Sequence, residues 1–542
     1  MTLLRIGLLA NGHQPDQQIG VLAHWLRQQP GLHLCLLVVR PAPLPARAGP
    51  RAAPAPRRHW GARLLDTIAA GERLLLGRGG TPAGPAQGDA DVLTIEALAA
   101  IGEAGLRCSA GDLQRVTSLR LDLLIQSDPA PVGAALTRLA RLGTIFVDGG
   151  ADELYRGEPA FFWESYYQRP RTGFTIRARG AGDQCAGVLR RGFFSTKFLY
   201  SLNRDALRTK SLPHLQRLLL DIAAGGALPP PLADQPFSGQ LRGGPSPAQA
   251  LAYLGKVVAR LVAKLLWRLL GVHKRWQISF LSTSWRQAEL CRHIPAPAPR
   301  GRYWADPFLL EHEGQTFCFV EDYDCRAGRG HISVLAVGAD RVRFVADCLR
   351  EPFHLSFPFL FRYRGQLYMC PETSAAQQIR VYRCAQFPLR WEPVAVLMEQ
   401  VAAADTMLFE RDGRWWMLTS IDYSGAGDFC SELYAFWADS PLSQQWQPHA
   451  ANPLLIDPTG GRNAGLIIEG DDIYRLAQKH GYDEYGQGLQ AYLITELSET
   501  RYAERLVSDI APAFGPGVLG VHHLNSNGRI TVFDHKSRGL FC

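Results

Sequence analysis

At 542 residues, with 46% hydrophobic and 20% charged side chains, the chain is ordinary for a soluble globular protein and long enough for two or three cores. No apolar run approaches the length of a membrane-spanning helix, which argues against a bilayer-crossing chain. The formal charge of +8 is mild and comes partly from clusters such as Arg57-Arg58 and Lys274-Arg275. It favours an anionic partner; no basic stripe interleaved with aromatics points to nucleic acid.

The opening, MTLLRIGLLANGHQPD, holds an apolar run too short for a signal sequence and reads as a buried first strand. The 11 cysteines are scattered, without zinc-site or disulfide-framework spacing. The expectation is a cytoplasmic protein, peripheral to the inner membrane if it meets lipid at all. Residues 3–10, 32–40, 121–127 and 144–147 are apolar and β-rich, separated by helical stretches, the pattern of a Rossmann-like α/β sheet over residues 1–223. Residues 41–58 and 77–88 read as surface insertions around a helical piece, 60–76.

The segment YRGEPAFFWE (155–164), followed by TGFTI (172–176) and by Asp183 with GVL (187–189), is similar to the core of the formyltransferase family that uses formyl-tetrahydrofolate. That resemblance implies an asparagine and a histidine ahead of Arg156-Gly157 and an aspartate downstream. Here Phe146 and Asp148 stand at the first two places, and Asp183 at the third. Neither phenylalanine nor aspartate supplies the chemistry required. A repurposed pocket lined by Asp148, Asp152, Arg156, Asp183 and Glu164 is expected, with formyl or acyl transfer to an amino sugar as one alternative function. Gly149-Gly150 is either an anion nest or a plain turn.

Residues 224–249 are rich in Pro, Gly and Ser and read as a linker. After it, in a predicted helical segment at 250–276, LAYLGKVVARLVAKLLWRLLGV (251–272) carries Leu254, Val258, Leu261, Leu265 and Leu269 at helical spacing, and Lys256, Arg260, Lys264 and Arg268 on other faces. Such a basic amphipathic helix either bridges two domains or lies on anionic lipid with Trp267 at headgroup level.

The last part of the chain, 277–542, repeats. Five segments align without gaps, DPFLLEHEGQTFCFVE, FPFLFRYRGQLYMCPE, DTMLFERDGRWWMLTS, NAGLIIEGDDIYRLAQ and GVHHLNSNGRITVFDH, starting at 306, 357, 405, 463 and 520. A period of about 50 residues is that of a four-stranded propeller blade, so an all-β five-bladed propeller is predicted. Gly314, Gly365, Gly413 and Gly528, with Asp471 in the fourth unit, hold the ninth position, the turn of a hairpin. Equivalent positions converge on a propeller's channel. The first reads Asp306, Phe357, Asp405, Asn463, Gly520; the sixteenth reads Glu321, Glu372, Ser420, Gln478, His535. Buried carboxylates are costly unless paired or used, which makes this ring the foremost candidate site.

The string Tyr303-Trp304-Ala305-Asp306-Pro307-Phe308 resembles the first blade of the five-bladed glycosidases that include arabinanases and β-xylosidases, which implies a general-base role for Asp306. Phe357 stands where those enzymes carry their second acid. The wider set, Pro371-Glu372-Thr373, Ala404-Asp405-Thr406, Asn463-Ala464-Gly465, Ala477-Gln478 and Gly520-Val521-His522-His523, resembles the N-terminal propeller domain of plant glucosamine inositolphosphorylceramide transferases and related bacterial proteins of polysaccharide loci. Asp306, Glu372 and Asp405 are the expected catalytic groups; Glu321, Asp322, Arg462, Asn463, Gln478, His522 and His523 the expected substrate-binding groups. The resemblances imply a carbohydrate-active protein of surface polysaccharide or glycolipid synthesis, a transferase more than a hydrolase, acting on a sugar or lipid-linked glycan. A non-catalytic glycan-binding scaffold is the alternative. No metal and no cofactor are implied.

Overall fold

The computed structural model describes the chain apart from residues 1–2, 12–16, 41–59, 77–91, 97, 100–105, 127–133, 150–159, 181–184, 234–241, 339–340 and 541–542. The expected insertions at 41–58 and 77–88 lie outside the described residues. The chain forms two compact units, one of Met1–Gln168, Thr172–Phe193 and Lys197–Lys256, the other of Arg169–Arg171, Phe194–Thr196 and Val257–Cys542.

In the first unit, seven strands make one mixed sheet in the order Leu93–Glu96, Leu32–Arg40, Leu4–Asn11, Leu123–Gln126, Thr144–Asp148, Arg171–Arg179, Cys185–Ser195. The pairs among the first five strands are parallel, and Arg171–Arg179 returns antiparallel to Thr144–Asp148. The predicted runs became strands because Ile6, Leu8, Leu36, Val38, Leu123 and Ile125 are all buried, as continuous apolar runs in a covered parallel sheet require. Helices Trp60–Leu75 and Tyr200–Gly225 belong to this unit, the latter ending on Gly226 in the left-handed region (φ 71°).

The second unit is a five-bladed β-propeller. Blades one to four are antiparallel sheets in chain order within residues 302–349, 356–399, 403–456 and 462–510. In three of them the inner hairpin turns on a pair with both φ positive: Glu313-Gly314 (49°, 76°), Arg364-Gly365 (48°, 75°) and Asp412-Gly413 (54°, 75°). That is the type I′ turn whose twist matches its flanking strands. In the fourth blade the positive φ falls on Gly470, not on the aligned Asp471. The fifth repeat does not make a blade alone. Its strand Thr531–Leu540 pairs with Val272–Leu281, which lies ahead of blade one and carries Ile294–Ala296 on its other edge. Both ends of the propeller sequence thus close the ring, which leaves no open edge between first and last blade.

Two expectations shift. The helix runs from Pro247 to Leu269, so it starts inside the predicted linker and stops before Val272–Leu281, which is strand. Cys325 is disulfide-bonded, where the scattered spacing predicted no pairing.

Candidate functional site in the propeller channel

The inner strand of each of the first four blades breaks register at one place: between Ala305 and Phe308, Ser356 and Phe359, Ala404 and Met407, and Asn463 and Gly465. At that bulge Asp306, Phe357 and Asp405 take φ of 48°, 45° and 50°. A non-glycine residue there costs about 1–3 kcal/mol, and the bulge re-aims the side chain. Two of the three residues so held are carboxylic acids of the candidate site.

The carboxylates fall into two groups. In the first, Asp534 accepts four N–H groups: Oδ1 from the backbone of His522 (3.1 Å) and His523 (2.9 Å) and from His522 Nδ1 (2.8 Å), and Oδ2 from the backbone of Asp306 (3.1 Å). With its Nδ1 proton committed, His522 turns the Nε2 lone pair toward Asp306 Oδ1, 3.4 Å away. Asp306 Oδ2 accepts the backbone N–H of Phe357 at 3.2 Å. Burial, then the neighbouring Asp534, pushes the Asp306 carboxyl well up; burial, then Arg462, pushes the His522 imidazole well down. Burial also raises Asp534, to about 7. A neutral imidazole facing a carboxyl of raised pKa is satisfied when Asp306 carries the proton.

In the second group Arg462 of blade four joins carboxyl groups of blades two and three. Its Nε donates to Asp405 Oδ2 (2.6 Å), and Nη2 donates to Asp405 Oδ1 and Glu372 Oε2 (3.2 Å each). Gln478 Nε2 adds a bond to Asp405 (2.8 Å), and Ser374 donates to Glu372 Oε1 (2.7 Å). Asn463 donates to the backbone carbonyls of Asp405 (2.8 Å) and Leu418 (3.1 Å), holding the bulge in place. Burial raises the Asp405 carboxyl against the pull of Arg462. Glu321 is raised by burial and then by Asp306, and His354 Nε2 stands 3.5 Å from it. Five carboxyl groups, those of Asp306, Glu321, Glu372, Asp405 and Asp534, therefore share one field with the single guanidinium of Arg462 among the described residues. Protons must be retained, because so much unpaired negative charge is too costly to bury.

An aromatic rim completes the channel. Trp276 stacks on His522 with centroids 3.8 Å apart, and Tyr485 stands 5.4 Å from His522 with Arg462 over its ring at 5.3 Å. His480 accepts from the backbone of Gly486 (3.2 Å) and is lowered by burial to about 3.

Of the predicted residues, Asp306, Glu321, Glu372, Asp405, Arg462, Asn463, Gln478 and His522 come together. Asp322 does not. Side chains alternate along a strand, so Asp322 faces away from Glu321 into a network with Arg302 Nε (2.9 Å) and Ser333 (2.9 Å), joined through Arg302 to Asp347 (2.9 Å). His523 points into the core: its ring packs against Phe308 and Phe357 at 4.5 and 5.4 Å, and neither ring nitrogen has a hydrogen-bond partner among the described residues. Asp534, Trp276, His480 and Tyr485 were missed. Asp534 holds the fifteenth repeat position, where the other units have Val320, Pro371, Thr419 and Ala477, and a lone charge there was the available signal.

Two clusters have the spacing of metal ligands. Ligand atoms of Asp306, His522 and Asp534, and of Asp322, His331 and Asp347, lie within 4.8 Å of one another. In the first, Asp534 is already occupied by four N–H groups; in the second, the Arg302 cation sits between the two carboxylates.

In the first unit, Arg156, Asp183 and Asp152 lie outside the described residues. Asp148 ends its strand 3.4 Å from Arg177 Nε. Phe146 is buried with Arg179 over its ring at 4.3 Å. Glu164 is 3% exposed, and burial raises it to about 7.

A family model described as glucosamine inositolphosphorylceramide transferase 1, N-terminal, matches residues 288–511. The match stops before His522, His523 and Asp534. The chain is 33% identical over 234 residues to glucosamine inositolphosphorylceramide transferase 1 of Oryza sativa subsp. japonica, covering 41% of this chain and 31% of that protein. To the protein of the same name from Arabidopsis thaliana it is 31% identical over 208 residues, covering 37% and 27%. The chain thus spans less than a third of the length of these curated relatives. Among solved structures, the family 117 glycoside hydrolase Zg3597 of Zobellia galactanivorans is similar at 11% identity and a TM-score of 0.32, over 49% of this chain and 91% of that one. Cellvibrio cellulosa α-L-arabinanase is similar at 13% and 0.31, over 43% and 90%.

Proposed function

We propose that the propeller channel binds a sugar of a glycolipid or of its precursor and catalyses transfer of a glycosyl group. The observation that carries this is the pairing, in one buried field, of a carboxyl poised to hold a proton, Asp306 against neutral His522, with a carboxylate held by a guanidinium, Glu372 on Arg462. Transfer needs both: Asp306 gives its proton to the departing glycosidic or phosphate oxygen as that bond to the anomeric carbon breaks. Glu372 takes the proton of the incoming hydroxyl as its oxygen bonds to the same carbon. This makes Asp306 the acid, where the glycosidase resemblance implied a base. Tyr485, 37% exposed, offers aromatic surface to the apolar face of a sugar. The family model that matches residues 288–511 and the similar plant proteins carry the name glucosamine inositolphosphorylceramide transferase, which supports a glycolipid substrate.

The test is a transfer assay with the full chain, a nucleotide-activated glucosamine or N-acetylglucosamine donor and inositolphosphorylceramide acceptor, with sugar binding followed by calorimetry. Asp306→Asn should lower turnover by about 100-fold or more while binding changes only a few-fold. Unchanged turnover in that variant would remove Asp306 from the chemistry. A second reading, a glycan-binding module without turnover, is favoured by one fact: the matching model covers only the N-terminal part of the relatives, which leaves the rest of those proteins to do the transfer. It predicts sugar binding by the wild type, modestly weakened in Asp306→Asn, and no transfer product.

A further inference from the structure

The helix Pro247–Leu269 is turned inside out. Leu251, Leu254, Val258, Leu261, Val262, Leu265, Leu266 and Leu269 are between 37% and 73% exposed, and Leu270 follows at 66%. Only Ala250, Tyr253 and Val257 of the helix are buried, all in its first half. Three of its four basic residues, on the opposite face, reach protein groups. Lys256 donates to the backbone carbonyl of Tyr166 (2.8 Å), while Arg260 Nε (3.1 Å) and Lys264 (2.8 Å) both reach Asp483. A surface helix of a water-soluble domain does the reverse. Residues 258–270, all in the second unit, extend about 18 Å along the axis, and their exposed side chains form one continuous apolar band, far beyond the scattered apolar residues normal on a surface.

We propose that this face lies in the headgroup–acyl boundary of a membrane containing anionic lipid, as an interfacial helix parallel to the surface. Charge chooses this occupant over a second copy of the chain. The helix has no Asp or Glu, and exposed Arg268 has no carboxylate partner among the described residues. Arg275 follows it in sequence, while Lys274 beside it is already paired with Glu484. A two-fold contact would set these cations against their own images, whereas anionic headgroups neutralise them. The helix lies on the bilayer and does not span it: no helix among the described residues is long and apolar enough to cross, and four basic residues interrupt this one. Asp483, which anchors Arg260 and Lys264, is two residues before Tyr485 of the channel rim. The apolar band is therefore anchored through the same hairpin that frames the channel, which suits a sugar carried on a lipid. That last consequence rests on the proposed function; the membrane contact does not.

The test is flotation of the full chain with vesicles of phosphatidylcholine alone and of phosphatidylcholine mixed in equal parts with phosphatidylglycerol. The wild type should float with the mixed vesicles. Leu261→Ser with Leu265→Ser, two exposed positions whose change leaves the fold intact, should weaken partitioning on the order of a hundredfold. Arg268→Gln should weaken it about fivefold on mixed vesicles only. A wild type that stays at the bottom, or a double variant that floats undiminished, overturns the proposal. Wild-type dimers that dissociate in the double variant without any flotation overturn it in favour of a second copy. Sugar binding by the double variant, measured by calorimetry, should match the wild type, which separates failure of the membrane contact from failure of the channel assignment.

Discussion

Replacing Arg462 with Met measures what holds the channel together. The guanidinium makes three charged hydrogen bonds, two to Asp405 and one to Glu372, and each such bond contributes about 1.5–3 kcal/mol. Met recovers part of this by filling apolar volume and by sparing the desolvation of a cation. Removing one partner of a buried pair nevertheless leaves its carboxylates unpaired, and the net loss expected is about 3–5 kcal/mol near pH 7. The sign of the pH dependence follows from the shift. Burial already raises Asp405, and without Arg462 it rises further, so the folded protein binds more protons than the unfolded one. Stability contributed by such a group is lost as pH rises from the unfolded value through the folded one, so the deficit of Arg462→Met should be largest at pH 8 and shrink toward pH 5. Urea unfolding of the full chain, followed by tryptophan fluorescence at pH 5, 7 and 8, reads both. A loss under about 1 kcal/mol, or one that grows on acidification, would show that Arg462 does not pay for the buried carboxylates.

Three further outcomes are expected. Asp534→Asn swaps one of the two oxygens that serve four N–H donors for an amide N–H₂, and should cost about 2–4 kcal/mol in the same unfolding assay; a neutral result would show that the His522 and Asp306 contacts are not structural. Glu164→Gln removes a carboxyl that burial raises from 4.5 to about 7, so the variant should gain on the wild type by up to about 3 kcal/mol between pH 5 and 8, and equal pH profiles would refute the shift. Gly365→Ala meets no atom within 4 Å but must hold φ at 75°, so it should cost about 1–2 kcal/mol by backbone strain alone; no measurable loss would put the turn in another conformation.

Local pattern was enough for the blades. A repeat of about 50 residues with a glycine at the same hairpin position needs no knowledge of neighbours, because strand alternation and turn geometry are properties of a few adjacent residues. The same holds for the parallel strands of the first unit, whose apolar runs declare burial on both faces. The ring of acids at 306, 321, 372 and 405 was visible for the same reason: equivalent positions of equivalent blades converge. What no local pattern held was which groups share a proton and which way a helix faces. Asp322 and Glu321 are neighbours in sequence and part company across a strand, and Asp534 reaches Asp306 only because the last strand closes on the first blade, 228 residues away. The helix at 247–269 has the periodicity of an ordinary amphipathic helix, and its face was decided by two contacts it could not encode alone: Tyr253 buried beside Glu72, and Asp483 taking Arg260 and Lys264. Periodicity determines that two faces exist; only the charges and cavities of the surrounding fold determine which of them meets protein and which is left for something else.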